Sequence, residues 1–180
     1  MAKGKPFILL VTGISTSGKS AAIEGLKKEA KLSHIKFHDV DGTGIPKAGQ
    51  GHWRVYKAAE LLYYAKKDQE KGTSTVIGGI IPSHEWIDSK EFEKDMNLHF
   101  VLLKTDMDKF TKRMKARLKR QRGRKDYLDL FVTNRKLARK LENQIINQKN
   151  GHIIDTTNMN KKTVRQELIR LINQLSKSNA

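Results

Sequence analysis

The chain has 180 residues, enough for one domain with a hydrophobic core, and it carries 36 Lys and Arg against 19 Asp and Glu. The net charge of +17 predicts an anionic partner, such as nucleotide phosphates, an acidic substrate or nucleic acid. The chain has no cysteine, so it can form no disulfide, use no thiolate nucleophile and bind no zinc through cysteine. Because no apolar stretch near the N-terminus suits a signal peptide or membrane span, we expect a cytoplasmic protein with no membrane partner.

The first predicted strand, residues 6–12, leads into the segment Gly13–Ser20, which has the pattern G-x-x-x-x-G-K-S and is followed by a predicted helix that ends near Lys31. We call Gly13–Ser20 the phosphate loop, because its glycines allow backbone N–H groups to surround phosphate oxygens at a helix N-terminus. Lys19 would reach the β- and γ-phosphates, and the Ser20 hydroxyl would be a ligand of Mg²⁺. The alternative, a Gly/Ser-rich turn that happens to carry a lysine, fits the strand-to-helix context less well. The predicted nucleotide contacts are Gly13, Ser15, Thr16, Ser17, Gly18, Lys19, Ser20 and Ala21.

Short apolar or β-branched runs alternate with helical patterns along the rest of the chain. The predicted strands after the first are 34–41, 73–77, 98–103 and 152–156. The predicted helices are 50–71, 83–95 (in part a loop), one that begins at Thr105 as a cap, 133–149 and 160–177. In the helix 50–71 we expect Trp53, Tyr56, Ala59, Leu62, Tyr63 and Lys66 to share one face.

This order predicts an α/β fold, with a five-stranded parallel sheet that has helices on both faces. The chain contains no repeat or linker, so we expect a single domain over 1–180 with two excursions. The first, about 42–70, would bind substrate, and the second, a basic loop at about 117–132, would be a lid. Residues 104–140 hold 15 basic and 4 acidic residues and thus concentrate the positive charge.

Two acidic residues, Asp39 and Asp41, lie at the end of the second predicted strand, at the edge of the sheet where ligands bind. Phosphoryl transfer requires Mg²⁺ near the phosphates and a carboxylate that orients or deprotonates the acceptor. We expect Asp39 to be catalytic and to contact substrate, and Asp41 to contact substrate and Mg²⁺. For Asp41, a turn-capping role before Gly42 is the alternative.

Two other features indicate substrate contacts. Gly78 and Gly79 follow the third strand and allow a ligand to approach the backbone closely, although a plain turn explains them equally well. Arg54 lies early in the helix 50–71, where it would pair with an anionic substrate group or simply face solvent.

Arginines dominate the predicted lid, and guanidinium groups suit phosphate oxygens. Arg113 and Arg117 are one helical turn apart, so both can face the nucleotide. We predict Arg117 as catalytic and nucleotide-binding, Arg120 as a nucleotide contact and Arg124 as a substrate contact, with Arg135 and Arg139 as further candidates. After the fifth strand, Asn158 is predicted to contact the nucleotide base, and capping of the last helix is the alternative.

On these residues the chain resembles the small P-loop kinases, the group that includes nucleoside monophosphate, shikimate, gluconate and adenylylsulfate kinases. The resemblance covers nearly the full length. The segments that carry it are Gly13–Ser20, Asp39–Asp41, Gly78-Gly79, Arg113–Arg117 and Ile154–Thr157. It implies a core, a substrate-binding region and an arginine-bearing lid, with ATP and Mg²⁺ as cofactors and transfer of the γ-phosphoryl group to a small acceptor.

Within that group, the Asp-x-Asp after the second strand looks more like the members that phosphorylate a hydroxyl group. The chain departs from shikimate kinases at Ile80, where they carry a third glycine, and residues 42–51 match no subgroup. We therefore expect an ATP-dependent kinase of a small hydroxyl-bearing acceptor, such as a nucleoside, a sugar or a shikimate-like compound. The alternatives are a nucleoside monophosphate kinase, a nucleic-acid-binding NTPase or polynucleotide 5′-kinase, and a nucleotide-binding module without turnover.

Overall fold

The computed structural model describes residues 5–40, 50–80, 86–87, 96–120 and 127–178. Within these ranges the chain forms one parallel sheet of five strands in the order β2-β3-β1-β4-β5. The strands are β1 (Ile8–Thr12), β2 (Ile35–Asp39), β3 (Ser74–Gly78), β4 (Leu98–Lys104) and β5 (Gly151–Asp155). All five predicted strands are confirmed, with bounds that shift by only one or two residues.

In the described ranges, helices follow β1, β2, β4 and β5 and cover both faces of the sheet. They are α1 (Lys19–Lys27), a 3₁₀ turn (Ala30–Leu32), α2 (Gln50–Glu70), α3 (Met107–Arg120), α4 (Tyr127–Ile146) and α5 (Lys161–Ser178). The predicted first helix therefore ends four residues early and continues as a 3₁₀ turn. None of the helices in the described ranges is long and apolar enough to cross a membrane.

The central strands are buried on both faces, which is why they consist almost entirely of apolar residues. Alternate residues of β1 face opposite cores: Ile8 and Leu10 pack in the core under α2, α3 and α4, whereas Leu9 and Val11 pack in the core under α1 and α5. Each such buried side chain contributes roughly 1.5–3 kcal/mol. The two cores together fix the phosphate loop, because that loop is the direct continuation of β1.

The buried face of α2 differs from the predicted one. Leu62 is buried and Trp53 packs partly buried against the core, as expected, but the other buried residues are Ala58, Leu61 and Ala65, and Tyr56 is 73% exposed. The prediction followed the large aromatic residues. The helix instead packs alanine and leucine side chains against the core beneath it.

The basic loop predicted at 117–132 is shorter in the structure, because α3 continues to Arg120 and α4 begins at Tyr127. Phe131 explains the early start of α4, since its ring packs edge-on against Phe110 of α3 at 5.4 Å between centroids. Residues 121–126 lie outside the described part. Of the predicted excursion 42–70, residues 50–70 are helix α2, and the remainder lies outside the described residues, as does most of the predicted helix 83–95.

The N-terminus of α3 is capped by Asp106 rather than by the predicted Thr105. The Asp106 carboxylate accepts hydrogen bonds from the backbone N–H groups of Asp108 (2.9 Å) and Lys109 (3.0 Å). Thr105 is buried, and its hydroxyl shares a 2.8 Å hydrogen bond with the hydroxyl of Thr156. Thr105 therefore joins the ends of β4 and β5, which leaves the cap to the next residue.

Candidate active site

The phosphate loop leaves the carboxyl end of β1, which lies between β3 and β4, and ends where α1 begins. Three of its residues have backbone angles that L-residues rarely adopt: Gly13 (φ 154°), Thr16 (φ 63°) and Gly18 (φ 102°). Gly13 and Gly18 supply this freedom without steric cost. Thr16 is β-branched, so its left-handed conformation is strained and must be held by the residues around it.

Lys19, the predicted phosphate-binding lysine, is 93% buried, since only 7% of its surface is exposed. Its ammonium group donates to the carbonyl oxygens of Gly13 (2.7 Å) and Ile14 (2.8 Å) and lies 3.4 Å from the Ser17 hydroxyl. A buried ammonium needs such partners because desolvation is otherwise costly. The ammonium thus lies inside the loop, at the positive end of the α1 dipole. Anionic phosphate oxygens bound there would neutralise its charge.

The loop is also held by Asn134 of α4, a residue that sequence reasoning missed. Asn134 is buried, and its side-chain oxygen accepts a 2.8 Å hydrogen bond from the backbone N–H of Ser15. A single asparagine within an otherwise regular helical pattern is a weak signal, because asparagine favours caps and turns over helix interiors.

Arg113 of α3 links the loop to the segment that follows β5. Its guanidinium donates to the backbone oxygens of Thr156 (2.9 Å), Met159 (3.3 Å) and Thr157 (3.4 Å), with a longer 3.5 Å contact to that of Thr16. The residue was predicted to face the nucleotide. The structure adds a second role, because these contacts fix two segments of the site relative to each other.

A cavity of about 690 Å³ lies beside the phosphate loop, between α3 and the start of α5. Its polar side is formed by loop residues and arginines, and its apolar side includes short side chains of α3 and α5. This combination suits the phosphates and the base of a nucleotide. The lining residues are Thr16, Ser17, Gly18, Arg113, Ala116, Arg117, Met159, Asn160, Lys161 and Val164.

The predicted nucleotide contacts outside the loop are placed unequally. Arg117 is exposed and lines the cavity together with Arg113, as their spacing of one turn predicts. Asn158 is exposed and is not among the lining residues, whereas its neighbours Met159 and Asn160 are. The side chain of Arg120 lies outside the described part of the chain.

The capping alternative for the segment after β5 falls on Asn160, whose side-chain oxygen accepts from the backbone N–H of Thr163 at 3.0 Å. Asp155, the last residue of β5, accepts a 2.9 Å hydrogen bond from the Thr157 N–H. Hydrogen bonds from Thr157 lower the pKa of the Asp155 carboxyl, so this carboxylate stays ionised and holds the turn. The segment 155–160 is therefore shaped by hydrogen bonds between its own side chains and nearby backbone N–H groups.

Asp39 lies at the carboxyl end of β2, half-buried, and is paired in register with Gly78 at the end of β3. It therefore lies on the same edge of the sheet as the phosphate loop, two strands away. Gly78 and Gly79 are explained by packing: a Cβ at Gly78 would lie 2.7 Å from the Ile23 side chain, and one at Gly79 would lie 2.6 Å from that of Val40. Their predicted role in binding substrate remains a prediction.

Three further predicted contacts fall wholly or partly outside the described residues. Asp41 and Arg124 lie outside the described residues, and of Arg54 only the backbone, in α2, is described. Of the predicted substrate contacts, Asp39, Gly78 and Gly79 are therefore the ones that the structure describes with their surroundings. The nucleotide side is described in full at the phosphate loop and in part at the arginines.

A second, smaller cavity of about 260 Å³ lies on the other side of the tip of β4, next to α4. Ile14, Arg135 and Arg139 line it, so both further arginine candidates reach the neighbourhood of the phosphate loop. Lys104 and Glu142 form a 2.5 Å ion pair on its wall. The hydrogen bond to Glu142 raises the pKa of the Lys104 ammonium.

No protein-family model matches the sequence, and no curated protein does. Solved structures do match in fold. A gluconokinase from Sinorhizobium meliloti 1021 aligns with a TM-score of 0.64 and 16% identity, over 98% of this chain and 97% of that chain. A sugar kinase from Janibacter sp. HTCC2649 aligns with a TM-score of 0.61 and 14% identity, over 93% and 95%.

A shikimate kinase from Acinetobacter baumannii, in complex with shikimate, aligns with a TM-score of 0.56 and 18% identity, over 94% of this chain and 93% of that chain. These similarities extend over almost the whole chain, and they confirm the predicted small P-loop kinase fold. At such identities they define the fold alone, and the reaction depends on the residues of the site.

Proposed function

We propose that this protein is an ATP-dependent kinase that transfers the γ-phosphoryl group to a hydroxyl group of a small acceptor. The observation that carries the proposal is the Lys19 ammonium, which is buried in the phosphate loop at the N-terminus of α1. The glycines of this loop have positive φ angles. Backbone N–H groups, a helix terminus and a lysine converge there, and this donor set is suited to the triphosphate of a nucleotide.

The cavity between α3 and α5 supports ATP as the nucleotide. Its position next to Thr16, Ser17 and Gly18 lets phosphates enter the loop while a base lies against the short side chains of α3 and α5. Arg117 would contact the phosphates from the opposite side, since it is exposed on the cavity wall. A guanidinium there would stabilise negative charge that moves during transfer.

A hydroxyl oxygen at the start of α1 suits Mg²⁺, a cation that takes oxygen ligands. Ser20 is exposed at the start of α1, and its hydroxyl, with a carboxylate after β2, would hold the ion. When bound, Mg²⁺ neutralises phosphate charge. We assign the carboxylate ligand to Asp41.

Asp39 would orient the acceptor hydroxyl and take up its proton. It lies at the carboxyl end of β2, on the edge of the sheet from which the phosphate loop emerges. The acceptor would be bound over the ends of β2 and β3 and along α2, with Asp39, Arg54, Gly78 and Gly79 as its contacts. Arg120 and Arg124 would close over the nucleotide and exclude water.

The test is a transfer assay with γ-labelled ATP and Mg²⁺ against separate pools of nucleosides, nucleoside monophosphates, sugars, sugar acids and shikimate-like compounds. We expect label on one hydroxyl-bearing pool, followed by a single product when that pool is divided. Transfer only to nucleoside monophosphates would identify the acceptor group as a phosphate rather than a hydroxyl. ATP binding without transfer to any pool would contradict a kinase and favour a regulatory nucleotide module.

A polynucleotide 5′-end is a second candidate acceptor, favoured by three exposed lysines on one side of α3, Lys112, Lys115 and Lys119. A short RNA with a 5′-hydroxyl, added to the same assay over a salt series, separates the two candidates. Binding through several phosphates loses affinity with a slope of about 0.7 per contact for single strands, in log K against log salt. A small neutral acceptor has no such slope.

A further inference from the structure

Asn134 occupies an unusual position for an amide side chain, because it is buried in the middle of α4 with only 4% of its surface exposed. Buried polar groups in a helix interior require hydrogen-bond partners. Both ends of this side chain have one. Its Nδ2 donates to the Leu130 carbonyl, one turn earlier, at 2.7 Å, and its Oδ1 accepts from the Ser15 N–H at 2.8 Å.

The two hydrogen bonds require the same orientation of the Asn134 amide. The Leu130 carbonyl can only accept, so it selects the NH₂ end of the amide, and the oxygen must then point toward the phosphate loop. The backbone N–H of Ser15 can only donate, which fits this orientation. A leucine at position 134 would fill the same space but would leave the Ser15 donor without this partner.

The residue next to Ser15 is the strained Thr16, and the two helices on either side of residues 121–126 both reach this pair. Asn134, from α4, holds the N–H of Ser15, and Arg113, from α3, contacts the carbonyl of Thr16. The tip of the phosphate loop is thus contacted by α3, which precedes residues 121–126, and by α4, which follows them. A change in the position of either helix would be transmitted to the loop through these contacts.

We propose that Asn134 is a positioning residue for phosphoryl transfer, which sets the tip of the phosphate loop and couples it to α4. This inference rests on the proposed kinase function. Asn134 does not line the nucleotide cavity, so it acts through Ser15 and Thr16. Its loss should impair the placement of the transferred phosphoryl group more than the binding of the nucleotide.

The first test compares Asn134→Ala with Asn143→Ala, a matched control because Asn143 is exposed on the same helix. For N134A we expect kcat to fall by about 10- to 100-fold, since small misplacements of reacting groups have effects of this size. The Kd of ADP should differ from that of the unmodified protein by no more than about threefold, because ADP lacks the phosphoryl group that is transferred. Peptides that cover residues 13–20 should exchange amide hydrogens faster in N134A alone.

A second variant, Asn134→Asp, retains an oxygen acceptor for Ser15 but loses the donor to Leu130. Protection of the loop peptide that is lost in N134A and kept in N134D would assign the effect to the acceptor oxygen. The inference is overturned if N134A matches N143A in both kcat and exchange, or if N134A only lowers the melting temperature. If the unmodified protein does not bind ADP, the proposed function fails, whereas the exchange comparison still tests the role of Asn134.

Discussion

The Lys19 ammonium lies 2.7 Å from the carbonyl oxygen of Gly13, the residue that opens the loop in which Lys19 itself stands. The first glycine and the lysine of the G-x-x-x-x-G-K-S pattern are therefore direct partners. The bond closes the loop around the space that phosphate oxygens would occupy, and it keeps a buried cation hydrogen-bonded. Loop shape and phosphate affinity thus depend on the same side chain.

Replacement of Asp39 by Asn should reduce phosphoryl transfer much more than ATP binding. The amide keeps the size of the side chain but cannot accept a proton, and a positioned base contributes about 10²–10⁴ in rate. We expect a loss of this size in kcat, with the Kd of ATP changed by no more than about threefold. Asp108→Asn, which removes an exposed carboxylate from the first turn of α3, is the matched control. A Kd that collapses while kcat at saturation survives would make Asp39 a metal or structural ligand.

Replacement of Thr16 by Gly should stabilise the fold. At φ 63°, a β-branched residue is strained, and glycine adopts this angle freely. The Thr16 hydroxyl is also buried and has no hydrogen-bond partner among the described residues. The relief of strain, offset by the entropy of glycine in the unfolded chain, should amount to about 1 kcal/mol.

This gain corresponds to a rise in melting temperature of about 2–4 °C for a chain of this length. Thr133→Gly is the control, because Thr133 is exposed in the helix α4, where glycine lowers stability. The two substitutions should shift the melting temperature in opposite directions. A lower melting temperature for T16G would mean that the Thr16 side chain contributes more than its backbone strain costs.

Two neighbouring histidines at the amino ends of β4 and β5 should make stability fall at acid pH. Burial lowers the pKa of His99 to about 4 and also lowers that of His152, and their rings are 6.0 Å apart. In the unfolded chain a histidine titrates near pH ~6.5. Protonation therefore favours unfolding, so the contribution to stability is complete above pH ~6.5, declines below it and is lost once the pH falls below the folded pKa.

Urea midpoints measured at intervals from pH 7 to 5 test this expectation. His99→Phe keeps a ring against Phe7, 6.5 Å from His99 between centroids, and should make the dependence on pH shallower. His34→Asn changes an exposed histidine and should leave the slope as it is. An equal slope in H99F and in the unmodified protein would place the acid sensitivity elsewhere.

The sheet could be predicted because β1, β3 and β4 are short apolar or β-branched runs of a kind that is buried in a parallel sheet. The buried face of α2 was less predictable. In α2 the aromatic residues Tyr56 and Tyr63 suggested the buried stripe, but Ala58, Leu61 and Ala65 pack against the sheet instead. Periodicity alone could not separate these stripes, because both have spacings of three and four residues.

The phosphate loop was predictable because its pattern lies within a few consecutive residues. The contacts that hold it were not. Asn134 is 119 positions from its partner Ser15 in the sequence, and Arg113 reaches backbone oxygens rather than side chains. Neither relationship leaves a periodic or spaced signal, so only the packing of α3 and α4 against the loop shows it.

Transfer of label from γ-labelled ATP, measured for the unmodified protein, Lys19→Ala and Lys27→Ala, tests the central claim most directly. Lys27 is exposed in the last turn of α1, so its replacement controls for the loss of one lysine from the same helix. We predict that K19A loses transfer while circular dichroism shows an intact fold, and that K27A retains it. Equal transfer by K19A and the unmodified protein would contradict the assignment of Gly13–Ser20 as the site that binds ATP.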